Sequence, residues 1–554
     1  MNTIKKYISH FIAFLAISLI LGCESNIDLN ANGIISADGY FTSPEDYDKA
    51  LNSIYGRLNV GDYDMWLDGV TDDGLVTHSW NRGYDLGRGI GNTSSSFPNS
   101  KWNNGYISVQ RANNVINNID VYQWPGATSD ATRNTCLAEA RTLRAYFYLD
   151  LVCLFGNIMF YEVNPSSVAE AENVPQVEPK TVFDFILKEL EETISSLPEV
   201  PANKSKLGKT AARLLRARAA AYAAGYLNDK TYFHITLAET EELLKTAPIL
   251  GNYESLFISG NESVDEVIFV KTYSADSKNS WGNWYNNSIS GYCVTTPTKA
   301  LVDAYEYIGE INPNRPYENK DPRLYASIYV PGNVIRGKYY NTIPFNTIER
   351  NGKLYFDPAK DYGTYQDREV MFGDVLGESG GGEWNKTPTG FSYKKYYQEA
   401  DTWNTYNSYI IFRYGEVYLL RAEALAETNG DGNEAKSLIK TLRDRAGNTN
   451  DLETTLANTY NGNLLDMIRN ERRIELAQEG KRLFDIRRWK ILLDVMNKPI
   501  EGIEYRDFSG STPVEVVHSP ASRDEYTSKD YWWPIPQAEM DLDKTGRIKQ
   551  NTDW

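Results

Sequence analysis

Apolar side chains recur at helical spacing in the segment from Leu464 to Lys490. Met467, Ile468 and Ile474 form one stripe of a helix with a period of about 3.6 residues. Glu471 lies on that same stripe. Because a buried carboxylate is costly without a partner, we expect it to pair with an arginine. The candidate partners within the segment are Arg469, Arg472, Arg473, Arg487 and Arg488.

A glycine separates this stripe from a second amphipathic piece. We expect Gly480 to end the first helix as a left-handed cap, with a second helix over Leu483–Trp489. For Glu471 and Glu475 we favour a buried ion-pair network that fixes how helices dock. The alternative, a catalytic carboxylate, has no supporting neighbour in the sequence.

Similar periodicity predicts helices through much of the chain. Ser43 followed by Pro44 is typical of a helix start. Further helices are predicted through Trp102–Val115, Ala138–Phe155, Thr181–Leu197, Gly208–Leu227, Thr231–Lys245, Tyr414–Glu427 and Asn433–Arg445. The segment Val417–Gly447 looks like a tetratricopeptide-type helix–turn–helix, although no strict repeat period continues along the chain.

Residues 250–400 differ from the helical parts. Val267–Lys271 is a short strand-like run, and the rest is rich in Gly, Asn, Tyr and Trp. Long irregular loops of this kind usually carry function. We therefore predict a predominantly α fold of tetratricopeptide-like helical hairpins with a large, loop-rich, irregular insertion face. A single domain would span 41–554, with a helical scaffold over about 41–250 and 405–554 and the elaboration over about 251–404.

The N-terminus has the pattern of a targeting segment. Lys5 and Lys6 precede the apolar run Phe11–Leu21, which is too short for a membrane-spanning helix. It ends in Ile20-Leu21-Gly22-Cys23, which resembles a lipoprotein signal cleaved before the cysteine. We predict a signal peptide over 1–22, a lipid anchor on Cys23 and a polar tether over 23–40. An ordinary secretory signal is the alternative.

Charge and composition narrow the class of ligand. The formal net charge of the 554-residue chain is −17, which excludes nucleic acid as a partner because phosphate binding needs a basic surface. The chain holds 39 Tyr and 12 Trp, an excess that suits both helix packing and surfaces that stack on sugar rings.

Motifs for nucleotide binding and nucleophilic catalysis are incomplete. Leu207-Gly208-Lys209-Thr210 lacks the earlier glycine of a phosphate-binding loop, so we interpret it as a helix start. Gly377-Glu378-Ser379-Gly380-Gly381 matches G-x-S-x-G but opens a glycine run instead of joining a strand to a helix. A glycosidase would need two placed carboxylates, and the sequence points to no such pair.

Metal sites have equally weak support. The four cysteines show no CxxC spacing, and the histidines show no short spacing. An acidic cluster offers oxygen ligands for calcium, but it lacks the hand-loop pattern, and we interpret it as solvated loop acids. Its members are Asp62, Asp64, Asp68, Asp72 and Asp73. We expect no cofactor, and calcium is possible but unsupported.

Aromatic residues in polar loops are the remaining candidates for a site. An aromatic face stacks on the C–H face of a sugar while neighbouring polar groups bind its hydroxyls. The candidate glycan-binding residues are Trp66, Trp80, Tyr84, Trp281, Trp284, Tyr285, Tyr292 and Trp384.

Several blocks spread along nearly the whole mature chain form one further pattern, and they include Glu139–Tyr146, Asp321-Pro322-Arg323, Phe412–Val417, Arg469–Lys490 and Pro534–Gln537. In this order they resemble the blocks of the SusD/RagB family of outer-membrane nutrient-binding lipoproteins. The resemblance implies a scaffold of helical hairpins, because the shared blocks concentrate on helices and arginine–carboxylate pairs.

The resemblance also implies a partner and a role. The partner would be a TonB-dependent, SusC-like outer-membrane transporter, to which a surface-exposed, lipid-anchored protein delivers oligosaccharides without catalysis. Two alternatives stay open: peptide cargo, as in the RagB branch, and a surface glycosidase. The family's shared blocks contain no ligand aromatics, so the site residues rest on loop composition alone.

Overall fold

A computed structural model describes most of the chain from residue 37 onwards, including the last four residues of the predicted tether, which are helical. The described residues are 37–59, 63–274, 276, 278–279, 281–285, 291–312, 315–335, 337–343, 347–351, 353–356, 386–397, 406–507, 512 and 514–554. Helices dominate them, which confirms the predicted α fold class. Within these ranges, no helix is both long and apolar enough to cross a bilayer.

The helices fall mainly in two stretches on either side of a strand-containing segment. The first group is α1 (Ala37–Tyr40), α2 (Pro44–Tyr55), α3 (Tyr63–Asp68), α4 (Ser96–Asn117), α5 (Ala127–Phe155), α6 (Val168–Ala171), α7 (Pro179–Thr193), α8 (Lys209–Tyr226) and α9 (Phe233–Leu244). The second group is α10 (Lys299–Ala304), α11 (Arg323–Ser327), α12 (Tyr414–Glu427), α13 (Gly432–Ala446), α14 (Leu452–Thr459), α15 (Leu464–Glu475), α16 (Arg482–Arg488), α17 (Leu492–Met496) and α18 (Gln537–Leu542).

The long helices pack as pairs, α4 with α5, α7 with α8, α8 with α9 and α12 with α13. In α8, alanines from Ala211 to Ala224 are buried, and their small side chains let neighbouring helices approach closely. Gly225 continues this surface against Arg488 of α16. The start of α8 at Lys209 confirms that the Gly-Lys-Thr segment is a helix start.

The strands form two-stranded antiparallel ribbons. They are β1 (Gly74–Val76), β2 (Ile158–Met159), β3 (Gln176–Val177), β4 (Val267–Lys271), β5 (Thr295–Pro297), β6 (Ile328–Tyr329), β7 (Val334–Ile335), β8 (Lys338–Tyr339), β9 (Thr347–Arg350), β10 (Lys353–Phe356), β11 (Ser392–Tyr393), β12 (Tyr409–Arg413), β13 (Glu504–Asp507) and β14 (Val514–Val517). The pairs are β1–β5, β2–β3, β4–β12, β6–β11, β7–β8, β9–β10 and β13–β14. The predicted strand Val267–Lys271 is confirmed as β4.

The helix that was predicted to end at Gly480 ends earlier in the chain. Helix α15 ends at Glu475, with Leu476 as its C-cap. Gly480 does have a left-handed φ of 67°, but its N–H donates to the carboxylate of Asp68 at 3.1 Å. The predicted cap is therefore wrong, because this glycine serves a tertiary contact with α3. The second helical piece is confirmed as α16.

Glu471 and Glu475 lie in a buried ion-pair network, as predicted. Glu471 accepts from Arg323 at 2.6 Å and Arg443 at 3.2 Å. Glu475 accepts from Arg323 at 2.8 Å and Arg413 at 2.7 Å. The predicted partners of Glu471 are wrong, because these guanidiniums come from other segments of the chain. The arginines within its own segment bind other acceptors: Arg469, Arg472, Arg473, Arg487 and Arg488.

Part of the acidic cluster is buried in a second network. Asp72 accepts from Arg482 at 2.9 and 2.8 Å, and Asp73 accepts from Arg473 at 2.6 Å. Arg482 and Arg473 offset the burial of Asp72 and hold its carboxyl pKa below the ordinary value. The interpretation of these residues as solvated loop acids is therefore wrong.

The other described acids of the cluster are also enclosed. Asp64 binds Lys101 at 3.0 Å, and burial raises the pKa of Asp68 to about 8. Asp62 lies outside the described residues. Among the residues that the structure describes, no group of three or more His, Cys, Asp or Glu is arranged to hold a metal ion.

Three cysteines, Cys136, Cys153 and Cys293, are buried and unbonded to each other. Burial raises the pKa of the Cys136 thiol to about 12, so it behaves as a small apolar side chain. Cys23, the signal peptide, the tether up to residue 36 and the G-x-S-x-G segment lie outside the described residues.

Candidate functional site

The ribbon of β1 and β5 positions the exposed aromatic rings. Val76 pairs with Thr295, and the pairing continues beyond the strands where the N–H of Thr77 donates to the carbonyl of Val294 at 3.1 Å. The Thr77 hydroxyl also donates to the carbonyl of Cys293. Two loops therefore leave this end of the ribbon side by side.

Trp80 and Tyr292 lie on these two loops. Trp80 is 65% exposed and Tyr292 is 53% exposed. The imidazole of His78 hydrogen-bonds the backbone of Tyr292, which links the two loops directly. The N–H of Tyr292 donates to the carbonyl of Gly282 at 3.0 Å and fixes the second loop further. We call His78, Trp80 and Tyr292 together the Trp80–Tyr292 surface.

The indole of Trp80 lies flat on the imidazole of His78. The ring centroids are 4.5 Å apart and the planes differ by 6°. His78 is buried, and burial lowers the pKa of its imidazole, so the neutral ring is favoured near pH 7. One face of the Trp80 indole therefore has a fixed support, while most of the side chain remains exposed to solvent.

Tyr84 stands at the base of the same loop with one ring face covered. The guanidinium of Arg88 lies over that face at 3.7 Å from the ring centroid. Arg88 also donates to the carbonyl of Val76 at 2.8 Å, which ties the loop back to β1. Tyr84 is half-buried, so it supports the loop more than it offers a stacking face.

Four of the predicted glycan-binding residues are buried. Trp66, Trp281, Trp284 and Tyr285 expose 8% or less of their surface. Trp66 packs edge-on to Trp284 at 5.0 Å, and Trp281 lies 4.2 Å from the ring of Tyr396. None of these four offers a ring face to solvent, so their assignment to a stacking surface is wrong.

Loop composition misleads at these positions because the loop folds back onto the helices and forms its own aromatic core. Trp384 lies outside the described residues.

His78 is a member of the Trp80–Tyr292 surface that the search for loop aromatics misses. The signal that could have found it is the His-x-Trp spacing directly after a short strand. The chain turns at this point, where the Asn81 N–H donates to the His78 carbonyl at 2.9 Å, and the two rings stack.

The arrangement suits a ligand with a flat apolar face and hydroxyls at its edge. A preset indole gives stacking area at low cost in conformational entropy, since its orientation is already fixed by His78. The fold and this surface define a helical-hairpin protein that presents exposed aromatic rings on the loops of a short ribbon.

Comparisons with known proteins agree with this class. The SusD family model matches residues 265–554, and a model described as "Starch-binding associating with outer membrane" matches residues 38–223. Because the first model covers more than half of the sequence, the chain belongs to the SusD family. The predicted SusD/RagB resemblance is thereby confirmed.

Individual relatives and structures are distant but cover nearly the whole chain. The chain is 23% identical to SusD-like protein P25 of Formosa agariphila over 90% of its length and 92% of that protein. A SusD-like carbohydrate binding protein from Bacteroides fragilis has a similar structure, with a TM-score of 0.73, 22% identity and coverage of 91% and 99%. Surface glycan-binding protein A from Bacteroides thetaiotaomicron has a TM-score of 0.65, 21% identity and coverage of 93% and 100%.

Proposed function

We propose that this protein binds an oligosaccharide or polysaccharide through the Trp80–Tyr292 surface. The observation that carries the proposal is the pair of exposed rings, one of them held flat by His78, on two hydrogen-bonded loops. A sugar ring would stack on the exposed indole of Trp80, and Tyr292 would contact a neighbouring sugar unit. The description of the matched N-terminal family model and the names of the similar structures support a carbohydrate ligand.

We further propose how the bound glycan is used. Cys23 carries a lipid anchor in the outer membrane, and the protein delivers its cargo at the cell surface to a SusC-like, TonB-dependent transporter. The lipoprotein-like end of the signal segment and the family membership support this role.

The proposed role requires neither catalysis nor a cofactor. Glu471 and Glu475 are the carboxylates for which catalysis was the alternative role. Both are buried against arginines and have no access to a ligand. Binding by ring stacking and hydroxyl hydrogen bonds needs no metal ion.

Native affinity electrophoresis tests this proposal. The purified protein is run through gels cast with a panel of polysaccharides, next to the variants Trp80→Ala and Tyr292→Ala. Val200→Ala, which shortens an 83% exposed side chain on the connection between α7 and α8, is the control. We expect one class of glycan to retard the protein. The affinity for this glycan should fall at least tenfold in Trp80→Ala and stay unchanged in Val200→Ala.

Three results would contradict the proposal. If a glycan retards the protein and Trp80→Ala and Tyr292→Ala bind it fully, the site lies elsewhere. If no glycan binds and peptides do, the cargo is peptide. Release of reducing ends during incubation would instead indicate a glycosidase.

A further inference from the structure

A groove lies between the three helices α4, α6 and α18. Its volume is about 570 Å³. Residues of α4 from Trp102 to Gln110 form one wall, and the short helices α6 and α18 with their flanking residues form the others. It shares no lining residue with the Trp80–Tyr292 surface.

The floor of this α4–α6–α18 groove is aromatic and rigid. The rings of Tyr106 and Tyr161 are nearly parallel, with centroids 6.2 Å apart and planes 15° apart. The hydroxyl of Tyr106 donates to the carbonyl of Met159 at 2.8 Å, so the ring cannot swing out of the groove.

The rim is aliphatic and exposed. Val168 of α6 is 76% exposed, Leu542 of α18 is 70% exposed, and Ile107 of α4 is 38% exposed. A single exposed aliphatic side chain is ordinary, but several around one groove mark a surface that another molecule covers.

The charged side chains of the groove are mainly acidic. Glu172, Glu539 and Asp543 line it together with Arg547 as its basic residue. Glu539 hydrogen-bonds the side chain of Trp102, and no ion pair to Glu539 occurs among the described residues. Burial raises the pKa of this carboxyl because no cation offsets the desolvation. The three acids outnumber Arg547, so the groove carries a net negative charge that a cation of a ligand would offset at Glu539.

We infer that the α4–α6–α18 groove is a docking site for a segment of a partner protein that presents apolar side chains next to a Lys or Arg. The apolar side chains would enter between Val168 and Leu542 onto the tyrosine floor, and the cation would meet Glu539. This mode of recognition combines a buried apolar anchor with charge complementarity.

The same observations disfavour two other occupants. A sugar carries hydroxyls around its edge, and the exposed side chains of Val168, Leu542 and Ile107 at the rim offer them no hydrogen bond. A second copy of this chain carries a net charge of −17 and would bring the same acidic groove, so like charges would oppose the contact.

A phage-displayed library of random 12-residue peptides, panned on the full-length protein, tests the inference. Enriched peptides are synthesised with a fluorophore, and their affinities are measured by fluorescence anisotropy. The variants are Leu542→Asp, which changes an exposed rim residue, and Glu539→Gln, which removes only the charge. Val200→Asp is the matched control, because Val200 lies near the other end of α5 from the groove. Its neighbour Ser196 accepts a hydrogen bond from Thr135 in the N-terminal third of α5, whereas the groove is lined by residues that follow the C-terminal end of this helix.

We expect enriched peptides to combine apolar residues with Lys or Arg. Leu542→Asp should weaken them at least tenfold, Glu539→Gln should weaken them several-fold, and Val200→Asp should leave them unchanged. Glycan retardation should persist in Leu542→Asp and be lost in Trp80→Ala, which separates this inference from the proposed function.

Four results would overturn the inference. One is a selection dominated by peptides without a cation, and another is a Leu542→Asp variant that binds the peptides as tightly as the unaltered protein. Loss of glycan retardation in Leu542→Asp would make the groove a saccharide site. A dimer in sedimentation that Leu542→Asp dissociates would make it a contact between copies.

Discussion

The guanidinium of Arg323 lies 2.6 Å from the carboxylate of Glu471, and both side chains are enclosed by protein. Arg323 belongs to the Asp-Pro-Arg segment at the start of α11, whereas Glu471 belongs to α15. The same guanidinium also binds Asp321 and Glu475. One arginine therefore joins the insertion segment to helix α15 and forms ion pairs with three buried acids.

Replacing Arg323 by Met should destabilise the protein strongly. The substitution keeps much of the side-chain volume but leaves the buried carboxylate of Asp321 without its arginine and removes one of the arginines that pair with Glu471 and Glu475. Removing one partner of a buried ion pair typically costs about 3–5 kcal/mol. Urea unfolding, followed by tryptophan fluorescence, measures the change in the free energy of unfolding.

The control for Arg323→Met is a surface ion pair. Lys180 and Asp184 are 57% and 47% exposed, so Lys180→Met should cost no more than about 1 kcal/mol. An equal loss in the two variants would show that burial of the Arg323 network does not contribute to stability as argued.

The same pair of residues shows what sequence can and cannot predict about the fold. The helix around Glu471 follows from local apolar spacing, and the structure places α15 there. The need for an arginine follows from the burial of a carboxylate on that stripe. The identity of the arginine does not, since Arg323 is 148 residues away in sequence and only the packing of α11 on α15 brings it close.

Trp80 and Trp281 should respond oppositely to replacement by Ala. Trp281 is fully buried against Tyr396, so Trp281→Ala should cost about 3–5 kcal/mol in stability. Trp80 is 65% exposed, so Trp80→Ala should stay within about 1 kcal/mol and affect binding instead. Urea unfolding of both variants checks this, and normal stability for Trp281→Ala would contradict the buried position.

These two residues also explain why the sequence predicts the site only in part. Both stand in loops rich in Asn, Gly and Ser, and both are tryptophans, so composition assigns them the same role. Exposure separates them, and exposure depends on how the loop after β4 folds onto Tyr396, a contact between residues distant in sequence. The strand before Trp80 is too short to show an alternating pattern.

Gly225 allows α8 to contact α16, and Gly225→Ala should weaken that contact. A Cβ atom at this position would lie 2.7 Å from the Cβ and the carbonyl oxygen of Arg488. Backbone atoms cannot move aside as a flexible side chain can, so we expect a loss of about 1–3 kcal/mol from overpacking. Gly251→Ala is the control, because no atom lies within 4 Å of its added Cβ. Equal unfolding midpoints for the two variants would contradict the close approach of the helices.

Asp68 should make stability depend on pH, and Asp68→Asn should remove this dependence. Burial, followed by the nearby charge of Asp73, raises the pKa of the Asp68 carboxyl from 3.8 to about 8. At a pH between these two pKa values, the folded chain keeps a proton that the unfolded chain has released. The contribution of Asp68 to stability is therefore highest at the low-pH end of this range and falls as the pH rises towards 8. The slope from one such group is about 1.4 kcal/mol per pH unit at most.

The amide introduced by Asp68→Asn can still accept the hydrogen bond from the Gly480 N–H, and it has no proton to lose. The melting temperature of this variant should therefore rise relative to that of the unaltered protein between pH 5 and pH 8, and the difference should be constant above about pH 8.5. Asp48→Asn is the control, because Asp48 is exposed and should give the same difference at every pH in this range. A difference for Asp68→Asn that does not change from pH 5 to pH 8 would show that this carboxyl is already ionised in the folded protein.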